Sequence, residues 1–171
     1  MVKMKKTLVT HQALKKRIKI LGAEITRHYR GKPLVILGVL KGSFIFMADL
    51  VREIKIPLRC EFIHVSSYQG KQSGELKLDF DISYPIKGEH VLLVEDIVDT
   101  GKTLEWLMKH CKNQKPRSLK VCTLLYKPDV NPKIENRLGW IGFKIPNQYV
   151  VGYGMDKDGL DRSLPHIAIA K

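Results

Sequence analysis

No other segment constrains the fold as much as Val91–Thr103, VLLVEDIVDTGKT. Four apolar residues run directly into Glu95 and Asp96, and Asp99 follows just before Thr100-Gly101-Lys102-Thr103. An unbroken apolar run bounded in this way reads as a strand buried on both faces, as in the parallel sheets of α/β folds. Such a strand delivers its acids to the carboxyl end of the sheet, where open α/β sheets bind ligands. Glu95 and Asp96 are adjacent, so on an extended chain they point to different sides. Carboxylates placed like this can accept from the vicinal hydroxyls of a ribose or hold a magnesium ion. The turn Thr100–Thr103 opens a helix, and its N–H groups and hydroxyls can surround a phosphate. Gly101 permits the close backbone approach.

Two rival readings fail. Gly101-Lys102-Thr103 matches the end of a P-loop, but that motif requires glycine at position 96, where this chain has Asp96. An acidic turn without a ligand does not account for three acids within five residues of a fully apolar strand and a phosphate-type turn.

The rest of the chain supplies a matching frame. The spacing of Leu14, Ile18, Leu21 and Ile25 predicts a helix over Gln12–Arg30, ended by Gly31–Pro33. Leu34–Leu40, Leu58–Val65 and Leu119–Leu125 read as strands, like Val91–Val94. Ser43–Glu53, with Ser43 as N-cap, and Lys102–Lys112 read as helices. Ser66–Gly74 reads as a loop, Glu75–Ile82 as a half-exposed strand, and Ile141–Phe143 and Tyr149–Val151 as short strands. Strands alternating with helices predict an α/β fold with a mostly parallel sheet flanked by helices. A chain of 171 residues suits one domain. The expected division is a core over about 34–127, with a small hood lobe from about 1–33 and 128–171.

Composition limits the function classes. No stretch of about 18 apolar residues exists, so no membrane span is expected. The basic start lacks the apolar middle of a signal peptide, and a cytoplasmic location is expected. Cys60, Cys111 and Cys122 share no metal-like spacing and read as reduced, mostly buried thiols. The histidines are scattered, without a ligand pair. Net charge is +13, of which residues 1–33 carry +9, from ten Lys/Arg against Glu24 alone. Aromatic residues are not interleaved with these charges. The basic segment therefore reads as a solvated helix face, and nucleic acid is not an expected partner.

The signature VLLVEDIVDTGKT resembles the phosphoribosyl-pyrophosphate motif of type I phosphoribosyltransferases, and within them it most resembles the hypoxanthine-guanine phosphoribosyltransferases. The resemblance extends over roughly residues 8–170 and rests on several separate motifs. It implies a Rossmann-like type I phosphoribosyltransferase fold with a hood. It also implies a magnesium-dependent transfer of phosphoribosyl from phosphoribosyl pyrophosphate to a 6-oxopurine, in a homodimer or homotetramer. Two other readings stay open at this point: a xanthine-preferring enzyme, and a pyrimidine-operon regulator that binds RNA with the same fold.

Carried over residue by residue, the resemblance makes Glu95 and Asp96 contacts to the ribose hydroxyls. It makes Asp99 the general base toward N7 of the purine, and Thr100, Gly101, Lys102 and Thr103 the cradle of the 5′-phosphate. Leu40-Lys41-Gly42-Ser43 is similar to the family's pyrophosphate loop, with a cis peptide before Lys41 and with Lys41 and Gly42 on the pyrophosphate. Arg162 joins them. Ser66, Ser67 and Tyr68 begin a segment similar to the family's flexible lid. Lys127 resembles the lysine that donates to O6, which selects a 6-oxo over a 6-amino purine because an ammonium cannot accept. Ile97, Tyr149, Val150 and Asp156 complete the implied purine side, with Tyr149 stacking on the base. Glu95, Asp96 and Asp156 are the implied magnesium ligands.

Overall fold

The structure is a computed structural model that describes residues 6–67 and 76–170. Its center is a six-stranded sheet. In chain order the elements are β1 (Thr7–Val9), α1 (His11–His28), β2 (Leu34–Leu40), α2 (Phe44–Glu53), β3 (Leu58–Ser67) and β4 (Leu76–Phe80). Then come β5 (His90–Val98), α3 (Lys102–Asn113), β6 (Ser118–Tyr126), a 3-10 helix (Pro132–Arg137), β7 (Trp140–Lys144), β8 (Val150–Val151) and β9 (Ile167–Ile169).

The large sheet has the order β4-β3-β2-β5-β6-β7, with only β3–β4 antiparallel. Its apolar runs are continuous because both faces are covered. Leu34, Ile36, Leu92 and Val94 join a cluster with α1 and α2, including Leu14, Ile18, Leu21, Phe46 and Leu50. The alternate residues Val35, Leu37, Val91 and Leu93 face the other way, toward Leu104, Leu107 and Cys111 of α3. Period-two alternation thus splits each strand between two cores. A smaller sheet, β1-β9-β8, joins the two ends of the chain.

Several boundaries differ from the sequence reading for identifiable reasons. Helix α1 starts one residue earlier because the Thr10 side chain accepts from Ala13 N at 3.2 Å. It stops at His28, and Gly31 then takes φ +74. Ser43 occupies the N-cap position of α2, but its side chain makes no cap hydrogen bond. Its backbone is already helical, and its hydroxyl donates back to Val39 O at 2.6 Å. Ser66 and Ser67 are strand residues rather than loop residues, paired with Lys77 and Leu76 of β4. Strand β5 does not stop at Val94. Its ladder with β6 continues through Glu95↔Thr123, Ile97↔Leu125 and Val98↔Tyr126. The 3-10 helix had no periodic signal to announce it. Of the three thiols, Cys111 and Cys122 are buried but Cys60 is exposed. No helix among the described residues is long and apolar enough to cross a membrane.

Candidate active site

The carboxyl ends of β2, β3 and β5 open into a cavity of about 730 Å3. β2 brings Lys41 and Gly42, β3 brings Ser66, and β5 brings Glu95, Asp96, Ile97 and Asp99. Lys127 arrives just beyond β6, held by its N–H to Val98 O at 3.0 Å. The opposite wall is Tyr149, Val150, Asp156 and Arg162. A smaller recess of about 220 Å3 adjoins it, lined by Glu95, Asp99, Thr100, Gly101 and Thr103. Nearly all of the residues singled out from sequence therefore converge. Lys102 lines neither space, although its N–H lies 3.5 Å from Thr100 Oγ1. Tyr68 lies outside the described residues, and of Ser67 only the strand pairing is described. A second cleft, of about 750 Å3, lies between α3 and residues 119–139 and contains none of these acids. Size alone does not identify the site.

The recess has the shape of an anion cradle. Gly101 stands at φ +85 at the start of α3, and a Cβ there would meet Ile134 Cδ1 at 2.0 Å. Asn131 fixes the turn by donating to Thr100 O at 2.8 Å. The positive end of α3 thus opens onto the recess, where it favors a phosphate. On the other side, Gly42 must be glycine for a different reason: a Cβ would lie 1.7 Å from Asp96 Oδ2. The Leu40–Lys41 peptide is cis.

The acids differ in environment. Glu95 is buried, and its Oε2 has no hydrogen-bond partner. Burial, and then the charge of Asp96, pushes the Glu95 carboxyl well above its usual range. Asp96 is pushed up to about 6, chiefly by burial, while backbone N–H groups and Arg162 work against the rise. Asp99 is more open, with its side chain 43% exposed, and pairs at 2.8 Å with Lys127, which is 7% exposed. Sequence reasoning gave these two separate tasks, and the structure joins them directly. Asp156 pairs with Arg162 at 2.7 Å, and Tyr149, 56% exposed at the rim, donates to Asp156 O at 3.0 Å. Glu95, Asp96 and Asp156 do not gather as a set of three metal ligands. No such set exists among the described residues. Asp156 also accepts from the N–H of Gly159 at 2.7 Å.

Sequence reasoning missed His64, Val65 and Met155, which also line the cavity. His64 lies 3.6 Å from Asp79 of β4. The only available signal was its place two residues before Ser66, where the segment read as a lid begins.

The phosphoribosyl transferase domain family matches residues 4–158. The chain belongs to the phosphoribosyltransferase family. It is 43% identical over 170 residues to the hypoxanthine-guanine phosphoribosyltransferase of Streptococcus pneumoniae, covering 98% of this chain and 94% of that relative. The crystal structure of a hypoxanthine-guanine phosphoribosyltransferase from Bacillus anthracis, with a HEPES molecule in its active site, is 42% identical. Its TM-score is 0.92, covering 99% of this chain and 100% of that one. The hypoxanthine phosphoribosyltransferase of Trypanosoma cruzi, in complex with the product IMP, is 38% identical, with a TM-score of 0.91 over 100% of this chain and 97% of that one. The mostly parallel sheet of this phosphoribosyltransferase, with helices on both faces, is the type I fold of the family.

Proposed function

We propose that this phosphoribosyltransferase moves the 5-phosphoribosyl group of phosphoribosyl pyrophosphate onto hypoxanthine or guanine, giving IMP or GMP and pyrophosphate. The carrying observation is the Asp99–Lys127 pair, 2.8 Å apart in the wall of the cavity that Tyr149 also lines, with Asp99 shared with the phosphate recess. A 6-oxopurine presents an acceptor, O6, beside a proton donor, N7–H, and this pair offers one donor and one acceptor to match. The names of the relatives support the same substrate class.

The 5′-phosphate sits on Thr100–Thr103, and the ribose hydroxyls donate to Glu95 and Asp96, which satisfies the orphan Glu95 Oε2. The purine stacks on Tyr149, with Ile97 and Val150 beside it, and Lys127 donates to O6. N9 attacks C1 as the bond from C1 to the pyrophosphate oxygen breaks, and the N7 proton passes to Asp99. Lys41, Gly42 and Arg162 receive the leaving pyrophosphate. Ser66, at the β3 end of the cavity lining, helps exclude water from this step. Asp96 and Asp156 on the cavity wall, with Glu95 beside Asp96, would hold a magnesium ion that arrives with the substrate. When bound, it would supply neutralization of charge on the pyrophosphate.

The chain works as one domain in the cytoplasm, with a core over about 34–127 and a hood from about 1–33 and 128–171. It assembles as a homodimer or homotetramer. A spectrophotometric panel tests the reading: hypoxanthine, guanine, xanthine and adenine are each offered with phosphoribosyl pyrophosphate and magnesium. Turnover is expected with hypoxanthine or guanine. Turnover with adenine alone would remove Lys127 from its role.

A further inference from the structure

Three consecutive residues after β8 take left-handed backbone conformations: Gly152 at φ +99, Tyr153 at φ +52 and Gly154 at φ +104. The two glycines are required by space. A Cβ on Gly152 would meet His166 O at 2.1 Å, and one on Gly154 would meet Gly42 O at 2.1 Å. Tyr153 has no such reason to be there, and a bulky side chain at positive φ persists only where the surroundings hold it. Those surroundings are specific. Tyr153 N donates to Leu164 O at 2.8 Å, and Gly154 N donates to Arg162 O at 3.0 Å. Arg162 returns with Nη1 to Gly154 O at 2.7 Å. The Tyr153 side chain is buried, and its hydroxyl donates to Asp49 Oδ2 on α2, while Arg52 holds Asp49 Oδ1. Burial, and then the Asp49 carboxylate, pushes the phenol well above its usual range, so it remains a donor.

The location of this contact gives it meaning. Helix α2 begins where the loop Leu40–Ser43 ends, so Asp49 is rigidly tied to Lys41 and Gly42. Tyr153 stands between Val150 and Asp156, in the opposite wall of the cavity. Neither Asp49 nor Tyr153 lines the cavity itself. We propose that Asp49 and Tyr153 are positioning residues: their hydrogen bond locks the wall carrying Tyr149, Asp156 and Arg162 against the pyrophosphate loop. The proposal rests on the phosphoribosyl-transfer reading above. Without the bond, Tyr153 is free to relax toward negative φ. That movement lifts Gly154 from Gly42 and carries Arg162 with it. A misplacement of about 1 Å in such a site costs up to about a hundredfold in rate.

Tyr153→Phe removes one oxygen and keeps the buried ring. It is expected to raise the Kd of magnesium pyrophosphate, read by calorimetry, and to lower kcat/KM for phosphoribosyl pyrophosphate, each by about tenfold. Asp49→Leu should reproduce both effects. Asp49→Asn keeps an acceptor for the phenol and should stay within about twofold of wild type. The double variant Tyr153→Phe/Asp49→Leu should be no worse than either single one, because the pair acts as a unit. Wild-type pyrophosphate affinity and kinetics in Tyr153→Phe, whatever its Tm, would overturn the proposal. So would an Asp49→Asn variant as impaired as Asp49→Leu. If Asp49→Leu does not fold, Tyr153→Phe and Asp49→Asn decide alone. A wild-type protein inactive with every purine would sink the functional reading instead, and the pyrophosphate titration would still judge the lock.

Discussion

At the scale of single residues, the site is built on carboxylates whose surroundings set them apart. Asp99 is half-exposed and paired with Lys127, which suits its proposed part as acceptor of the purine proton. Asp99→Asn is expected to lower turnover by at least about tenfold while leaving phosphoribosyl pyrophosphate binding largely intact. Steady-state rates and a binding titration check this, and unchanged turnover would remove Asp99 from its role. Asp96 is the opposite case. Its carboxyl is held at about 6 against an ordinary 3.8, so the folded chain binds this proton more tightly than the unfolded chain. The stability it contributes is complete below about pH 3.8 and is lost as the pH rises through about 6. Asp96→Asn should therefore raise the Tm at about pH 7.5 and change it little at about pH 3.5. Thermal melts at the two pH values decide, and a gain confined to the acid side would contradict the burial argument.

At the scale of elements, the basic helix α1 acquires a structural use that its sequence did not reveal. Arg17 turns inward across the chain, with Nε to Gly142 O at 3.0 Å and Nη2 to Ile141 O at 2.7 Å. It thereby ties α1 to the outer strand β7. Gly142 fits this join because a Cβ there would come within 2.4 Å of Leu124 O. Arg17→Met is expected to cost about 1–2 kcal/mol in denaturant unfolding, with kcat and KM unchanged. An unchanged unfolding midpoint would show that the tie contributes nothing. Lys15, Lys16, Lys19 and Arg27 remain on the exposed face, so the solvated reading of the basic segment holds for most of its charge.

At the scale of the whole molecule, the β4 edge of the sheet carries Phe62 and Phe80, 38% and 47% exposed. Both lie on the same face, because Phe80 pairs with His64 and Phe62 is two residues before it. A second copy of the chain covering this face accords with the proposed homo-oligomer. Light scattering should then give a mass at least about twice 19.6 kDa, and Phe62→Glu should reduce it. A wild-type monomer would end that part of the reading. The sequence by itself determined the parallel sheet and the acid-bearing strand end, because apolar periodicity and turn chemistry are local properties. It also marked most of the cavity lining, because Lys41, Glu95, Asp96, Asp99 and Thr103 sit at element boundaries where composition changes abruptly. Other features were decided only by tertiary structure: the Asp99–Lys127 contact, the Asp156–Arg162 pair, the inward turn of Arg17 and the reach of Tyr153 to Asp49. Each joins residues whose meeting depends on how separate elements pack, or on backbone signs that no local pattern encodes. A contact between residues 28 or 104 positions apart leaves no trace in spacing.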